Sequence, residues 1–176
     1  KGVVKLSDEI DELRDHIFYF IKNLDEASVG ASNLYINILG YLQDMAQSLE
    51  YLNKISHKHI HNNHKKLKYN QIKELKEIDL ELQKLLSATK AAFETRSFER
   101  IGEIFASKQE LLDMVSQKIE KQIARTRTDE SSPKNTTLYF TFLLETKDFI
   151  NATMNLLELY YNEHDSTVTP AKLEVQ

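Results

Sequence analysis

The sequence predicts an all-α fold, an elongated bundle of about five long antiparallel helices with an internal pseudo-repeat. Three observations predict it. Across 176 residues there are only four glycines (Gly2, Gly30, Gly40, Gly102) and two prolines (Pro133, Pro170), too few for the frequent turns of a sheet. Leu, Ile and Phe recur at steps of three and four over long stretches, and no segment alternates apolar with polar residues for more than a few positions. Finally, LYINILGYLQDMAQSLEYL, residues 34–52, returns 104 residues later as LYFTFLLETKDFINATMNL, residues 138–156. Leu34, Tyr35, Leu39, Asp44 and Leu52 there meet Leu138, Tyr139, Leu143, Asp148 and Leu156. Similarity at a fixed offset is the mark of duplicated supersecondary units, each of which buries its apolar face on its neighbour.

Each element has its own signals. Ser7 followed by Asp8, Glu9, Asp11 and Glu12 reads as an N-cap with acids in the first turn, where they complement the helix dipole. The stripe Ile10, Leu13, Ile17, Phe20 and Leu24 follows, and Ser28 with Gly30 supplies a stop. A second helix is expected from about Ala31 toward Ile60 on Leu34, Ile38, Leu42, Met45, Leu49 and Leu52, with a turn at Asn62 and Asn63. A third runs from about Asn70 to Phe93 with Leu75, Ile78, Leu82 and Leu85 inward. The fourth spans about Phe98 to Arg127 on Ile101, Ile104, Leu111, Val115, Ile119 and Ile123, with cations gathered at its C-terminal end. The polar stretch TDESSPKN, 128–135, reads as a loop, and the fifth helix as about Thr136 to Glu163. The length fits one domain over 1–165, with half-units of about 6–94 and 98–163 and a frayed tail at 166–176.

Composition narrows the function. With no cysteine, thiolate nucleophiles, cysteine zinc sites and disulfides are excluded. No apolar run approaches the roughly twenty residues that span a bilayer, so the stretch reads as soluble. It begins at Lys1 without an initiator methionine, as a piece of a longer protein would. The net charge is −4, but Lys54 to Lys76 holds seven lysines against the single acid Glu74. That segment carries +6 and the remainder −10. The lysines Lys54, Lys58, Lys65, Lys66 and Lys68 are the candidate surface for an anionic membrane or an acidic partner. Nucleic acid is not expected, because the chain is acidic overall and the patch lacks interleaved aromatics beyond Tyr69.

Asp44 and Asp148 hold equivalent places in the repeat, and Glu145 lies one turn before Asp148 on the inward stripe. A polar seam runs beside them, Asn37, Asp44, Gln47 and Tyr51 answered by Thr141, Asp148, Asn151 and Asn155. Asp44, Glu145 and Asp148 could hold a hard divalent cation through oxygen ligands, or pair with neighbouring cations as ordinary structural acids. In a continued helix, His57, His61 and His64 would share a face at metal-ligand spacing, with His59 elsewhere. No glutamate completes a HExxH arrangement, and the flanking lysines repel a cation. Glycine-rich phosphate loops, dinucleotide fingerprints, nucleophile elbows and Glu-x-x-His pairs are all absent. No catalytic residue and no cofactor is therefore expected, and a metal-dependent hydrolase on the seam is the weaker reading.

On ILGYLQDMAQSLEYL, on SSPKNTTLYFTFLLETKDFINATMNLLELYY, on the opening IDELRDHIFYFIKNL and on the basic HNNHKKLKYNQIKEL, the chain resembles the PhoU-like domain at the cytoplasmic end of bacterial sodium-dependent phosphate (Na/Pi) cotransporters. ETRSFERIGEIFASKQELLDMVSQKIEKQIARTRT extends the likeness over nearly the whole chain. The resemblance implies two similar helical bundles on the inner side of the plasma membrane, partnered by the transmembrane phosphate-transport domain of the same parent chain, or by a second copy as a homodimer. It also implies a regulatory, non-catalytic role in phosphate uptake. The alternative it offers is a free-standing PhoU-type, metal-binding phosphate-signalling regulator. Relatives with metal clusters place a glutamate and an aspartate four residues apart, where this chain has Gln43 and Gln47 in one half and Lys147 and Asn151 in the other. The resemblance therefore brings no metal cluster to this chain.

Overall fold

A computed structural model describes residues 8–15, 29–62, 65–95, 97–128 and 132–163, without the side chains of 29–35 and 98. Among these residues the fold is all-α, with no strand. Residues 8–15 are helical (α1), followed by α2 (Val29–His61), α3 (Tyr69–Thr95), α4 (Phe98–Ala106), α5 (Lys108–Arg127) and α6 (Pro133–Glu163). The Ser7 cap, the stripe positions Ile17, Phe20 and Leu24, the stop at Ser28, Asn63, His64 and the tail 166–176 lie outside the described residues.

The expected apolar stripes supply the core. Ile10 and Leu13 of α1, Ile38, Leu42, Met45, Leu49 and Leu52 of α2, and Ile78, Leu82 and Leu85 of α3 are all buried. Helix α6 is the hub, packing mainly on α2 and α5 and also touching α3 and α4. It is apolar around much of its girth, as a helix surrounded by others must be. Tyr139, Leu143, Phe149, Ile150, Met154 and Leu157 are among its buried residues. Its Tyr160 ring meets Phe93 of α3 with centroids 4.6 Å apart and planes tilted by 56°, a geometry the ring quadrupoles favour. Outside the core, α1 is tied to α3 by an ion pair between Glu12 and Lys90.

Two boundaries correct the sequence reading. The fourth helix is not continuous: it breaks between α4 and α5 at Ser107, whose hydroxyl donates to the Ile104 carbonyl at 2.6 Å while its N–H turns to the same carbonyl at 3.0 Å. A side chain that satisfies the preceding turn's carbonyl offers the backbone an exit from the helix. The 128–135 loop is also shorter than expected. Pro133 opens α6, and the Ser132 hydroxyl accepts from the Asn135 N–H at 3.2 Å. Proline in the first helical position behind a serine cap costs nothing, because that N–H would lack a partner anyway. Ile123, expected inward, is 41% exposed, since the C-terminal part of α5 turns a polar face, Gln122, to the interior.

Candidate functional site

Helices α2 and α6 run antiparallel. Lys58, His59 and Asn62 at the end of α2 share one hollow with Pro133, Lys134 and Thr137 at the start of α6, while Asp44 and Tyr51 share another with Glu145 and Asn155. The second hollow, of about 440 Å³, gathers most of the seam. Asp44, Gln47, Ser48 and Tyr51 line it from α2, and Asp148, Asn151, Ala152 and Asn155 from α6, with Glu145 beside them. Each of those four α6 residues lies 104 positions after its α2 counterpart. Of the remaining seam residues, Thr141 lines the neighbouring hollow and Asn37 is exposed.

All three predicted carboxylates thus reach one hollow. Asp44 and Asp148 are exposed and Glu145 half-buried. Among the described residues, no three His, Asp or Glu side chains are grouped so as to hold one metal ion. Of the histidines that a continued helix would align, His57 and His61 are exposed on α2, which ends at His61, and His64 lies outside the described residues. His59 instead shares a hydrogen bond with the Lys65 carbonyl at 3.0 Å.

The predicted lysines cluster at one end of the bundle. Lys54 and Lys58 sit on the last turns of α2, and Lys65, Lys66 and Lys68 on the connection to α3; all five are exposed. The connection is pinned by its backbone. The Lys66 carbonyl accepts from Asn135 Nδ2 at 3.0 Å, and the Lys68 N–H donates to Gln71 Oε1 at 2.9 Å. Backbone polar groups held this way leave the ammonium groups free to face solvent or a partner. Lys134 at the start of α6 adds charge at the same end, where Asn135 of that helix reaches the Lys66 carbonyl.

Sequence reasoning missed the buried polar network behind this end. Glu74 of α3 takes an ion pair from Arg125 of α5 and a hydrogen bond from the Tyr139 hydroxyl of α6. Arg125 also donates to Gln122 Oε1 at 2.9 Å, and Gln71 Nε2 donates to the same oxygen at 3.0 Å. The guanidinium lies over the Tyr139 ring, 5.6 Å from its centroid. Burial first, then the Glu74 carboxylate, pushes the Tyr139 phenol well above its ordinary range. Burial pulls Arg125 down, but the Glu74 hydrogen bond and charge outweigh it and hold the guanidinium above its usual value. A signal was available: Gln71, Glu74 and Ile78 share one face of α3 at steps of three and four, which places two polar side chains on an apolar stripe.

The arrangement offers surfaces and a fixed polar brace, with helix ends carrying like charge on one side. No helix among the described residues is long and apolar enough to cross a membrane. No protein-family model, no curated protein and no solved structure matches the chain.

Proposed function

We propose that the chain is a PhoU-like, non-catalytic domain on the cytoplasmic side of a sodium-dependent phosphate cotransporter, where it modulates phosphate uptake through helix-face contacts with the transmembrane transport domain. The observation that carries the reading is the pairing of α2 with α6. The two helices that bear the echo lie antiparallel, and positions 104 residues apart face each other across one hollow. Two copies of one helical unit, packed by a pseudo-two-fold axis, would meet in this way. The resemblance supplies the transport context, and the lysine end supplies the surface that faces the membrane or the transport domain.

The mechanism is thermodynamic. A bundle biases a transporter only if it binds two transport states with different affinity, and exposed lysines held on a pinned backbone are suited to that. Near an anionic leaflet each contributes about 1 kcal/mol. The proposal is tested by sodium-driven phosphate uptake in the native host, comparing the parent gene with Lys58→Glu/Lys65→Glu/Lys66→Glu. All three side chains are exposed, so the fold is retained, and uptake is expected to change severalfold at equal protein level. Unchanged uptake removes the lysine end from the mechanism.

A further inference from the structure

We propose that the lysine end of the bundle docks directly on an anionic lipid bilayer, with the side chains of Ile60 and Tyr69 entering the interface. The inference rests on the transport reading for the presence of a membrane and deepens it, since that reading leaves the lysine end facing either lipid or the transport domain.

Exposed apolar groups are the first observation. Ile60 on the last turn of α2 is 73% exposed and Tyr69, which opens α3, is 80% exposed, the two highest values among the large hydrophobic side chains of the described residues. The two helix ends are joined by one short connection, and the hydrogen bond of His59 with the Lys65 carbonyl, 3.0 Å, folds that connection back on α2. Leu67 of the same connection packs against the core. Apolar side chains at this end can therefore reach the interior, and Ile60 and Tyr69 are turned away from it. An isoleucine and an amphipathic tyrosine ring suit the boundary between water and hydrocarbon.

Charge is the second, independent observation. Tyr69, Ile72, Lys73 and Lys76 fall on one face of α3 at helical spacing, and all four are exposed, whereas Gln71, Glu74 and Ile78 on the other side are buried. The first turns of α3 thus carry apolar groups toward the tip and ammonium groups behind them. Lys54 and Lys58 stand one turn apart on α2, and Lys65, Lys66 and Lys68 lie between the two helices. The one acid from Lys54 to Lys76 is Glu74, buried against Arg125, and Glu77 just beyond is held by Lys118 at 2.9 Å. None of the seven ammonium groups has an ion-pair partner among the described residues.

The kind of cation favours lipid over an acidic protein. Every permanent cation from Lys54 to Lys76 is a lysine and none is an arginine. Arginine's planar fork matches a carboxylate held in a fixed place, whereas lysine is a point charge on a flexible stem. Such a charge meets a fluid array of headgroups without a fixed partner, and its stem lies along apolar groups that enter the surface.

The test is sedimentation of the 176-residue chain with vesicles of one part phosphatidylglycerol to two parts phosphatidylcholine at low ionic strength, with phosphatidylcholine vesicles in parallel. Binding to the anionic vesicles is expected, and at least about tenfold weaker binding to the neutral ones. Each lysine near an anionic leaflet strengthens binding about fivefold, so Lys58→Glu/Lys65→Glu/Lys66→Glu should weaken it about a hundredfold or more. Ile60→Ser/Tyr69→Ser, at two exposed positions that leave the fold intact, should weaken it about tenfold. The chain has no tryptophan, so Tyr69→Trp places a single reporter whose emission should shift to the blue on anionic vesicles. Leu144→Trp should not shift, because that residue is 55% exposed on α6 but lies eleven residues beyond Pro133, about 16 Å along the helix. No binding to anionic vesicles overturns the proposal, as does binding that Ile60→Ser/Tyr69→Ser leaves unchanged, or an equal shift at both tryptophans. Absent vesicle binding with altered uptake in the lysine variant overturns lipid docking and leaves the transport reading standing, with the transport domain as the partner. Vesicle binding with the expected losses supports docking even where uptake is unchanged, a result that counts against the transport reading alone.

Discussion

Replacing Glu74 with leucine should be among the most damaging single changes in this bundle, and its size can be worked from the structure. The Arg125 and Glu74 side chains are 13% and 11% exposed, so their pairing is largely cut off from water. Removing one partner of a buried pair costs about 3 to 5 kcal/mol, because it leaves the other charge uncompensated. Two observations place this case toward the lower end: Arg125 still donates to Gln122 at 2.9 Å, and a small part of its side chain reaches solvent. The Tyr139 hydroxyl, fully buried, also loses its acceptor. A loss of about 3 kcal/mol follows, a large share of the roughly 5 to 15 kcal/mol that holds a domain together. For a chain of this length that lowers the melting temperature by about 6 to 12 °C, readable by circular dichroism on heating and in urea. The triple variant Glu74→Leu/Arg125→Met/Tyr139→Phe removes both charges and the phenol hydroxyl together, leaving Gln71 bonded to Gln122, and should recover about 2 kcal/mol of the loss. A single variant within about 1 kcal/mol of the parent, or a triple variant no more stable than the single, refutes the view that charge pairing in a dry environment governs this region.

The Tyr139 phenol is held above its ordinary value in the folded chain, so the stability it gains by staying neutral is complete below the unfolded value of about 10 and is lost as pH rises beyond it. Stability against denaturant above pH about 10 should therefore fall more steeply for the parent than for Tyr139→Phe, by up to about 1.4 kcal/mol per pH unit, and equal slopes would contradict the assignment. At the start of α6, Ser132→Ala should cost about 1 kcal/mol in urea denaturation and Ser132→Gly only a few tenths. Equal losses would mean that the Ser132 hydroxyl is not the cap its contact with the Asn135 N–H implies.

Apolar periodicity carried most of the fold. Ile38, Leu42, Met45, Leu49 and Leu52 read as one stripe in the sequence and are one buried face in the structure. Helix ends were less legible where a serine decides them, because Ser107 breaks a helix and Ser132 begins one through hydrogen bonds that composition does not announce. The seam was legible for the same reason as the core: residues at steps of three and four share a face, and the sequence similarity at an offset of 104 residues suggested which two faces to compare. That Asp44 and Asp148 reach one hollow follows from the antiparallel packing of α2 on α6, which the helical period of either helix alone cannot give. Glu74, Arg125 and Tyr139 went unseen because their elements are distant in sequence, and Glu74 read there as the single acid in a lysine-rich exposed segment. The spacing of the histidines presumed a helix that continues past His61, whereas the chain turns at Asn62 and engages His59 with the Lys65 carbonyl.

The claim at the centre of this account is that the bundle acts on phosphate movement without chemistry of its own, and the sodium-dependent uptake assay reaches it most directly when residues 8–163 are deleted in frame from the chromosomal gene. Sodium-driven uptake that changes severalfold at equal level of the transport domain is the predicted result. Uptake identical to the parent would contradict the account.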